Sequence, residues 1–374
     1  MNTFEDAGDI VVFTAMMVLP VLMGGLVVWF VRSPRVKGGL RRGLVLVGAN
    51  LLVLAFLSSL ALAVFEGYYR FWCDTTDSFG LTRITLRWAK RHFILNKSGF
   101  RDNVETYDLR LTPGRRRITF LGDSFTAGHG IDEVRDRFAN RIRTSEPGWE
   151  VHVVAVNGAD TGGELKRFQR MIEAHYQLDE VVLVYILNDI ADITPDWDAI
   201  HARIYKDKPG YLVMHSFFLN TLYYRLKGRF DPDISDYYGF VRDAYNGPPW
   251  QEQKERLRKL QSLIESNGGH LLVVIFPFLN HLGSGYEFRA AHERLNAFWR
   301  ENSIPCLDLL GLFESHKDLR LTVSSADAHP GREAHALAAA PIDAFIRANM
   351  KPGPPTPVSI PPPAAPPTSP PAME

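Results

Sequence analysis

Two stretches near the amino terminus carry no charged side chain: Ile10–Val31 and Gly43–Phe65. As α-helices each extends roughly 33 Å at about 1.5 Å per residue, enough for a hydrocarbon core of roughly 30 Å. Core helices seldom lack charge for so long, so the pattern predicts a two-helix transmembrane hairpin within residues 1–66. A cleaved signal peptide fits poorly with the acidic head, Glu5, Asp6 and Asp9, and with the length of the first run.

Beyond a juxtamembrane segment, 67–116, the pattern changes to short apolar runs alternating with helical spacing. Arg117–Leu121, Val151–Val156, Val181–Leu187, Leu271–Phe276 and Pro305–Leu310 predict strands; the third is apolar throughout, as a buried parallel strand is. Helices are expected at Val134–Thr144, Glu164–Tyr176, Trp250–Glu265, Glu287–Glu301 and Arg332–Asn349, the second on the spacing of Leu165, Phe168 and Ile172. Strands alternating with helices predict an α/β domain over 117–349, a doubly wound parallel sheet of about five strands. Residues 190–249 break the alternation and read as an irregular insertion with one helix near Ser216–Leu226. From 350 to 374 the chain is proline-rich and predicts an extended, disordered tail.

Charge adds orientation. Lysine plus arginine and aspartate plus glutamate each total 42, which gives no reason to expect a nucleic-acid partner. The link between the apolar runs, however, holds Arg32, Arg35, Lys37, Arg41 and Arg42. The positive-inside rule makes that loop cytoplasmic and places everything after Phe65 outside; the basic residues Arg70 to Arg91 that follow are more dispersed. Two cysteines, Cys73 and Cys306, make no disulfide framework, and no Cys/His cluster points to a metal or another cofactor.

The chemistry-bearing residues sit where the strands end. Gly122-Asp123-Ser124-Phe125-Thr126-Ala127-Gly128 follows the first strand, Asn157-Gly158-Ala159-Asp160-Thr161-Gly162-Gly163 the second, and Leu187-Asn188-Asp189 the third. Each alone is ordinary turn or cap chemistry. In a sheet of order 2-1-3-4-5 the three segments converge on one patch. Asp327-Ala328-His329-Pro330 opens the last helix and supplies what a serine hydroxyl needs, a histidine base beside a carboxylate.

These four segments, in this order, resemble the SGNH (GDSL-type) hydrolase family, over roughly 117–349 without the insertion. Ser124 falls in the first block, Gly162 lies five residues after Asn157 as the second-block glycine does, and Asn188 and His329 match the third and fifth. Asn96-Lys97-Ser98-Gly99-Phe100-Arg101-Asp102 is similar to a segment preceding the domain in membrane-linked members. The resemblance implies a flavodoxin-like sheet and metal-free ester hydrolysis or acyl transfer. It makes Ser124 the nucleophile, His329 its base and Asp327 the orienting acid. The oxyanion would be met by the backbone N–H of Ser124 and Gly162 and the side-chain amide of Asn188. Three positions depart from the pattern. Phe125 replaces leucine, Ile186 replaces a glycine and is expected to narrow the pocket, and Asp327 stands two residues before His329 instead of three.

Other residues invite roles. His129 reads as a polar loop residue and His335 as a cap or packing residue. Phe217, Phe218, Tyr223 and Tyr224 fit burial against the sheet as well as they fit a sugar or lipid site, and Asp160 and Asp189 suit hydrogen bonds to loop backbone. The first expectation is an extracytoplasmic, inner-membrane esterase removing acyl groups from a surface glycan or lipid. An O-acyltransferase would use the same residues, with a membrane partner bringing donor across. A non-catalytic subunit of a membrane assembly would have little use for Ser124, Asn188 and His329 together.

Overall fold

The computed structural model describes residues 4–33, 42–206, 208–232, 236–283 and 285–353. Most of the basic link and nearly all of the proline-rich tail therefore lie outside the described residues. Helix α1 spans Ala7–Arg32; the Asp6 side chain caps it by accepting from Asp9 N–H at 3.0 Å. Helix α2 spans Arg42–Phe71 and packs along α1. Both are long and apolar enough to cross a membrane, and only 11% and 6% of their most apolar windows are covered by protein. Val21, Trp29 and Leu44 are 66–77% exposed, which suits lipid and not a protein core. The second helix runs six residues past Phe65, because Glu66 and Arg70 pair at 2.8 Å and are buried against the insertion. Charge ended the apolar run there without ending the helix.

After α3 (Arg83–His92) comes the α/β unit. Strands β1 (Arg116–Gly122), β2 (Trp149–Ala155), β3 (Glu180–Ile186), β4 (His270–Phe276) and β5 (Cys306–Asp308) form a parallel sheet of order 2-1-3-4-5. Register is continuous from Arg116↔Trp149 to Gly122↔Ala155, so β1 and β2 end level. Helices cover both faces, which is why β1 to β4 are buried along nearly their whole length, while the edge strand β5 is half-buried. These are α4 (Ser124–Ala127), α5 (Phe138–Ser145), α6 (Thr161–Glu173), α11 (Pro249–Ser266), α12 (Arg289–Glu301) and α14 (Arg332–Asn349).

The stretch expected to be irregular is largely helical: α7 (Trp197–Tyr205), α8 (Tyr211–His215), α9 (Phe217–Phe230) and α10 (Tyr237–Ala244). Its apolar residues face two partners, the cleft and the amino-terminal helices, so no single periodicity marks them. Past β5, a short helix α13 (Leu310–Glu314) leads into an antiparallel pair, β6 (Thr322–Ser324) and β7 (Asp327–Pro330). This hairpin spans the return from the sheet edge to β1. Both cysteines are free. Ile186 is fully buried in the core, so it does not narrow the cleft as expected.

Candidate active site

The site starts from the end of β1. Asp123 stops the strand and caps α4, its Oδ1 accepting from Phe125 N–H at 2.9 Å, and Ser124 opens the helix. Gly128 ends that helix at φ 74°, where a Cβ would press on Arg137 Cδ at 2.6 Å. Behind this turn lies Arg101, 1% exposed, from the segment 96–102. Its guanidinium donates to the carbonyls of Ala127, Gly128 and Ile131 and braces the loop that carries the serine.

His329 reaches Ser124 from the opposite side. Its Nδ1 lies 2.6 Å from Asp327 Oδ1, and its Nε2 lies 2.8 Å from Ser124 Oγ. A carboxylate oxygen only accepts, so Nδ1 carries the hydrogen and Nε2 is free to take the serine proton. The two-residue spacing works because β7 is extended. Alternate side chains on a strand point the same way, and Asp327 and His329 are such a pair. Asp327 Oδ1 also accepts from His329 N–H at 3.0 Å, and Oδ2 accepts the Thr76 hydroxyl. Thr76 belongs to the chain just after α2, 251 positions away, and no local pattern announced it. Its neighbour Ser78 holds the same hairpin, its N–H donating to Ala326 O and its Oγ accepting from Ala328 N–H.

The charges follow. Burial opposes ionisation of His329, but the Asp327 carboxylate outweighs it and raises its pKa above 6.5. Burial likewise works against the Asp327 anion, yet His329 and the Thr76 hydrogen bond hold its pKa well below the usual range. Asp123 Oδ2 lies 3.2 Å from Ser124 Oγ, a rival acceptor; burial pushes the Asp123 carboxyl up and weakens that rivalry. Behind it stand Glu164 and Asp189, fully buried, their pKa values raised by burial first and then by neighbouring carboxylates, Asp123 and Asp160 for Glu164 and Glu164 and Asp123 for Asp189. Asp189 Oδ2 accepts from Ile186 N–H at 2.9 Å, and Asp160 Oδ1 accepts from Gly163 N–H at 2.7 Å.

His129 is not a solvated loop residue. It is 6% exposed, its ring centre is 4.5 Å from that of His329, and it lines the cleft. Asp77 O faces its Nε2 at 3.2 Å, so Nε2 donates and Nδ1 accepts from the Asn157 amide at 2.9 Å. Burial, then the His329 charge, push it down to about 4, and it stays neutral. His129, Asp327 and His329 have donor atoms within 4.8 Å of one another. Both His329 nitrogens are already committed, to Asp327 and Ser124, which accounts for the grouping without an ion.

The cleft holds about 370 Å³. Ser124, Asn188 and His329 line its polar side, and Phe79, Trp197, Ile204, Tyr205, Tyr237 and Phe278 its apolar walls. Asn188 Oδ1 is buried without a hydrogen-bond partner. Gly162 does not line it. The chain turns at Gly158, φ 72°, so that Gly158 and Ala159 face the cleft. Gly162 instead lies in the first turn of α6, with Arg256, Asp160 and Asp192 around its α-carbon. Counting five residues from Asn157 overshoots the turn. The insertion aromatics also sit elsewhere than expected: Phe218 stacks on Phe65 of α2 at 5.0 Å, away from the sheet. His335 packs on Phe138 and accepts from its N–H at 3.3 Å.

A family model described as GDSL-like lipase/acylhydrolase matches residues 120–337. No curated protein matches the chain. Among solved structures it is similar to a member of the lipolytic protein G-D-S-L family from Veillonella parvula, at TM-score 0.40 and 14% identity over 62% of this chain and 96% of that one. An extracellular lipase from Streptomyces rimosus gives 0.40 and 14% over 62% and 99%. The lipase/acylhydrolase from Enterococcus faecalis gives 0.36 and 17% over 64% and 98%.

Proposed function

The chain belongs to the GDSL-like lipase/acylhydrolase family, and we propose that it is a membrane-anchored serine esterase acting through an acyl-serine on an acylated cell-surface glycan or lipid. The observation that carries this is the unbroken line Ser124 Oγ, His329, Asp327, with contacts of 2.8 and 2.6 Å. Ser124 Oγ attacks the ester carbonyl while its proton passes to His329 Nε2. Asp327 keeps the ring oriented and stabilises the imidazolium. The oxyanion is met by Ser124 N–H and the Asn188 amide, beside the turn at Gly158–Ala159, whose Ala159 N–H is already given to Val156 O; one such donor is worth about 2.7–4 kcal/mol in the transition state. Collapse breaks the ester C–O bond, and His329 returns its proton to the departing alcohol. Water, deprotonated by the same nitrogen, then attacks the acyl-serine; the bond from the acyl carbon to Ser124 Oγ breaks, His329 returns the proton to Oγ, and the acid leaves.

Two features support the anchor and its side. The exposed, uncharged surfaces of α1 and α2 suit lipid, and the basic link favours a cytoplasmic loop, with the catalytic domain outside the inner membrane. The test is a series of p-nitrophenyl esters, acetate to longer chains, offered to the full chain in detergent beside Ser124→Ala. Hydrolysis lost in the variant is expected. No turnover at any chain length, or turnover that survives in Ser124→Ala, overturns the proposal.

A further inference from the structure

Helices α8 and α9 do not belong to the α/β layers. They pack on α1, α2 and α3. The lock is polar and buried. Glu66, 0% exposed, accepts the Ser216 hydroxyl at 2.6 Å and the N–H groups of Phe217 and Phe218 at 3.2 and 3.0 Å, so a side chain of α2 caps the first turn of α9. Arg70 donates to His215 O at 2.8 Å, and His215 Nδ1 lies 3.0 Å from Asp9 at the start of α1. The Phe217 ring sits under Arg70, Arg83 and Arg87 at 4.8–5.0 Å.

Glu66 is also the residue that ends the uncharged run of α2. The start of α9 is therefore fixed at the level where that helix leaves hydrocarbon. Tyr68 and Trp72, 52% and 73% exposed, mark the same level, as aromatic residues do at a membrane boundary. From this point α9 carries Leu222, Leu226 and Phe230 one turn apart, each 40% exposed or more, while Tyr211 and Leu212 of α8 are likewise uncovered. The charged residues of α9 are Arg225, Lys227 and Arg229, and it contains no acidic residue. An exposed apolar stripe on a helix whose only charged side chains are basic is the pattern of a helix lying in a membrane interface.

We propose that α8 and α9 form an arm lying in the headgroup boundary of the bilayer that α1 and α2 span, and that the cleft draws its ester from an amphiphile resident in that bilayer. This rests on the anchored-esterase reading and names its substrate class. The arm borders the cleft: Lys227 Nζ donates to Arg203 O of α7 at 2.7 Å, and the adjacent Ile204 and Tyr205 line the cavity. Phe79 and Gly80, on the segment that leaves α2, line it as well. An acyl chain leaving the interface thus meets apolar wall between the arm and the membrane helices.

The test uses the full chain reconstituted in phosphatidylcholine/phosphatidylglycerol vesicles. An environment-sensitive fluorophore is attached to Leu226→Cys, or to Glu293→Cys on exposed α12, with Cys73 and Cys306 replaced by serine. Spin-labelled phospholipid should quench the label at 226 strongly and leave that at 293 nearly untouched; equal weak quenching overturns the arm. This readout needs no activity, so it stands apart from the esterase proposal. The second arm of the test uses Leu222→Asp/Leu226→Asp. Hydrolysis of a long-chain umbelliferyl ester dissolved in the vesicles should fall roughly tenfold while p-nitrophenyl acetate in water is turned over as before. An equal effect on both esters, or on neither, overturns delivery from the membrane.

Discussion

Replacing Asp327 by asparagine separates the charge of the orienting group from its geometry. Oδ1 of Asp327 accepts two hydrogens, from His329 Nδ1 and His329 N, while Oδ2 meets the Thr76 hydroxyl. An asparagine can keep its oxygen toward the histidine and turn its amide to Thr76 Oγ, which accepts as readily as it donates. The ring tautomer then survives, and what is lost is the charge facing the imidazolium. At about 4 Å and an effective dielectric of about 20 that interaction is worth about 4 kcal/mol, or about 10³ in rate. The retained neutral hydrogen bond offsets part of it, so kcat for p-nitrophenyl acetate should fall by about 10²–10³. Where the tautomer is lost, such a substitution costs about 10⁴. The pH profile gives a second reading. His329 acts as base only when neutral, and its pKa is raised above 6.5, so the acid limb of kcat/KM in the wild type lies above 6.5. Without the carboxylate, burial opposes the charged ring with only Asp123 and Asp77 left to offset it, and the limb should move to lower pH. Measured in detergent with the melting temperature as a folding check, a loss under tenfold with an unmoved limb refutes the orienting role. A loss of 10⁴ or more refutes the part given to Thr76.

Thr76→Val should lower kcat roughly tenfold with KM unchanged, because Asp327 Oδ2 loses a hydrogen bond of the kind worth about 1.5–3 kcal/mol to a charged acceptor, and Thr76→Ser should restore it; unchanged kcat in the valine variant refutes this. Glu164 has both oxygens buried and unpartnered, with a folded pKa well above 4.5. Its ionisation costs the fold nothing below pH 4.5, and stability is lost as pH rises from 4.5 toward the raised value. Glu164→Gln should therefore melt at a higher temperature than wild type at pH 8 and show a flatter pH dependence in calorimetry; parallel curves would contradict the assignment. A reporter fused after Trp72 should be active only outside the cytoplasm, and activity inside would reverse the orientation read from the basic link.

The order of the sheet was legible because the first three strands each end in a motif that must reach one patch, and the third and fourth, from Val181 and Leu271 on, are apolar throughout. Ser124 and Asn188 were legible for the same reason, and His329 because the long return from the fifth strand to the last helix can carry it back to β1. Asp327 departed from the common spacing, and only the extended conformation of β7 shows why two residues suffice. Gly162 misled because spacing counted along the chain cannot see the turn at Gly158 that brings Ala159 to the cleft first. Thr76, Ser78 and Arg101 were invisible in their roles, since their partners lie 26 to 251 positions away and nothing in their neighbours' polarity reports it. Nothing in the pattern around Glu66 and Arg70 showed that the two form the buried joint between the second apolar helix and the insertion.

The central claim is that Ser124 becomes acylated with His329 as its base. It is tested most directly by mass spectrometry of peptides from the full chain after treatment with a fluorophosphonate, which reacts with base-activated serines. A single adduct on the peptide containing Ser124, absent when His329→Ala is treated in the same way, is the predicted result. An adduct at another serine, or one at Ser124 that forms equally well without His329, would contradict the account.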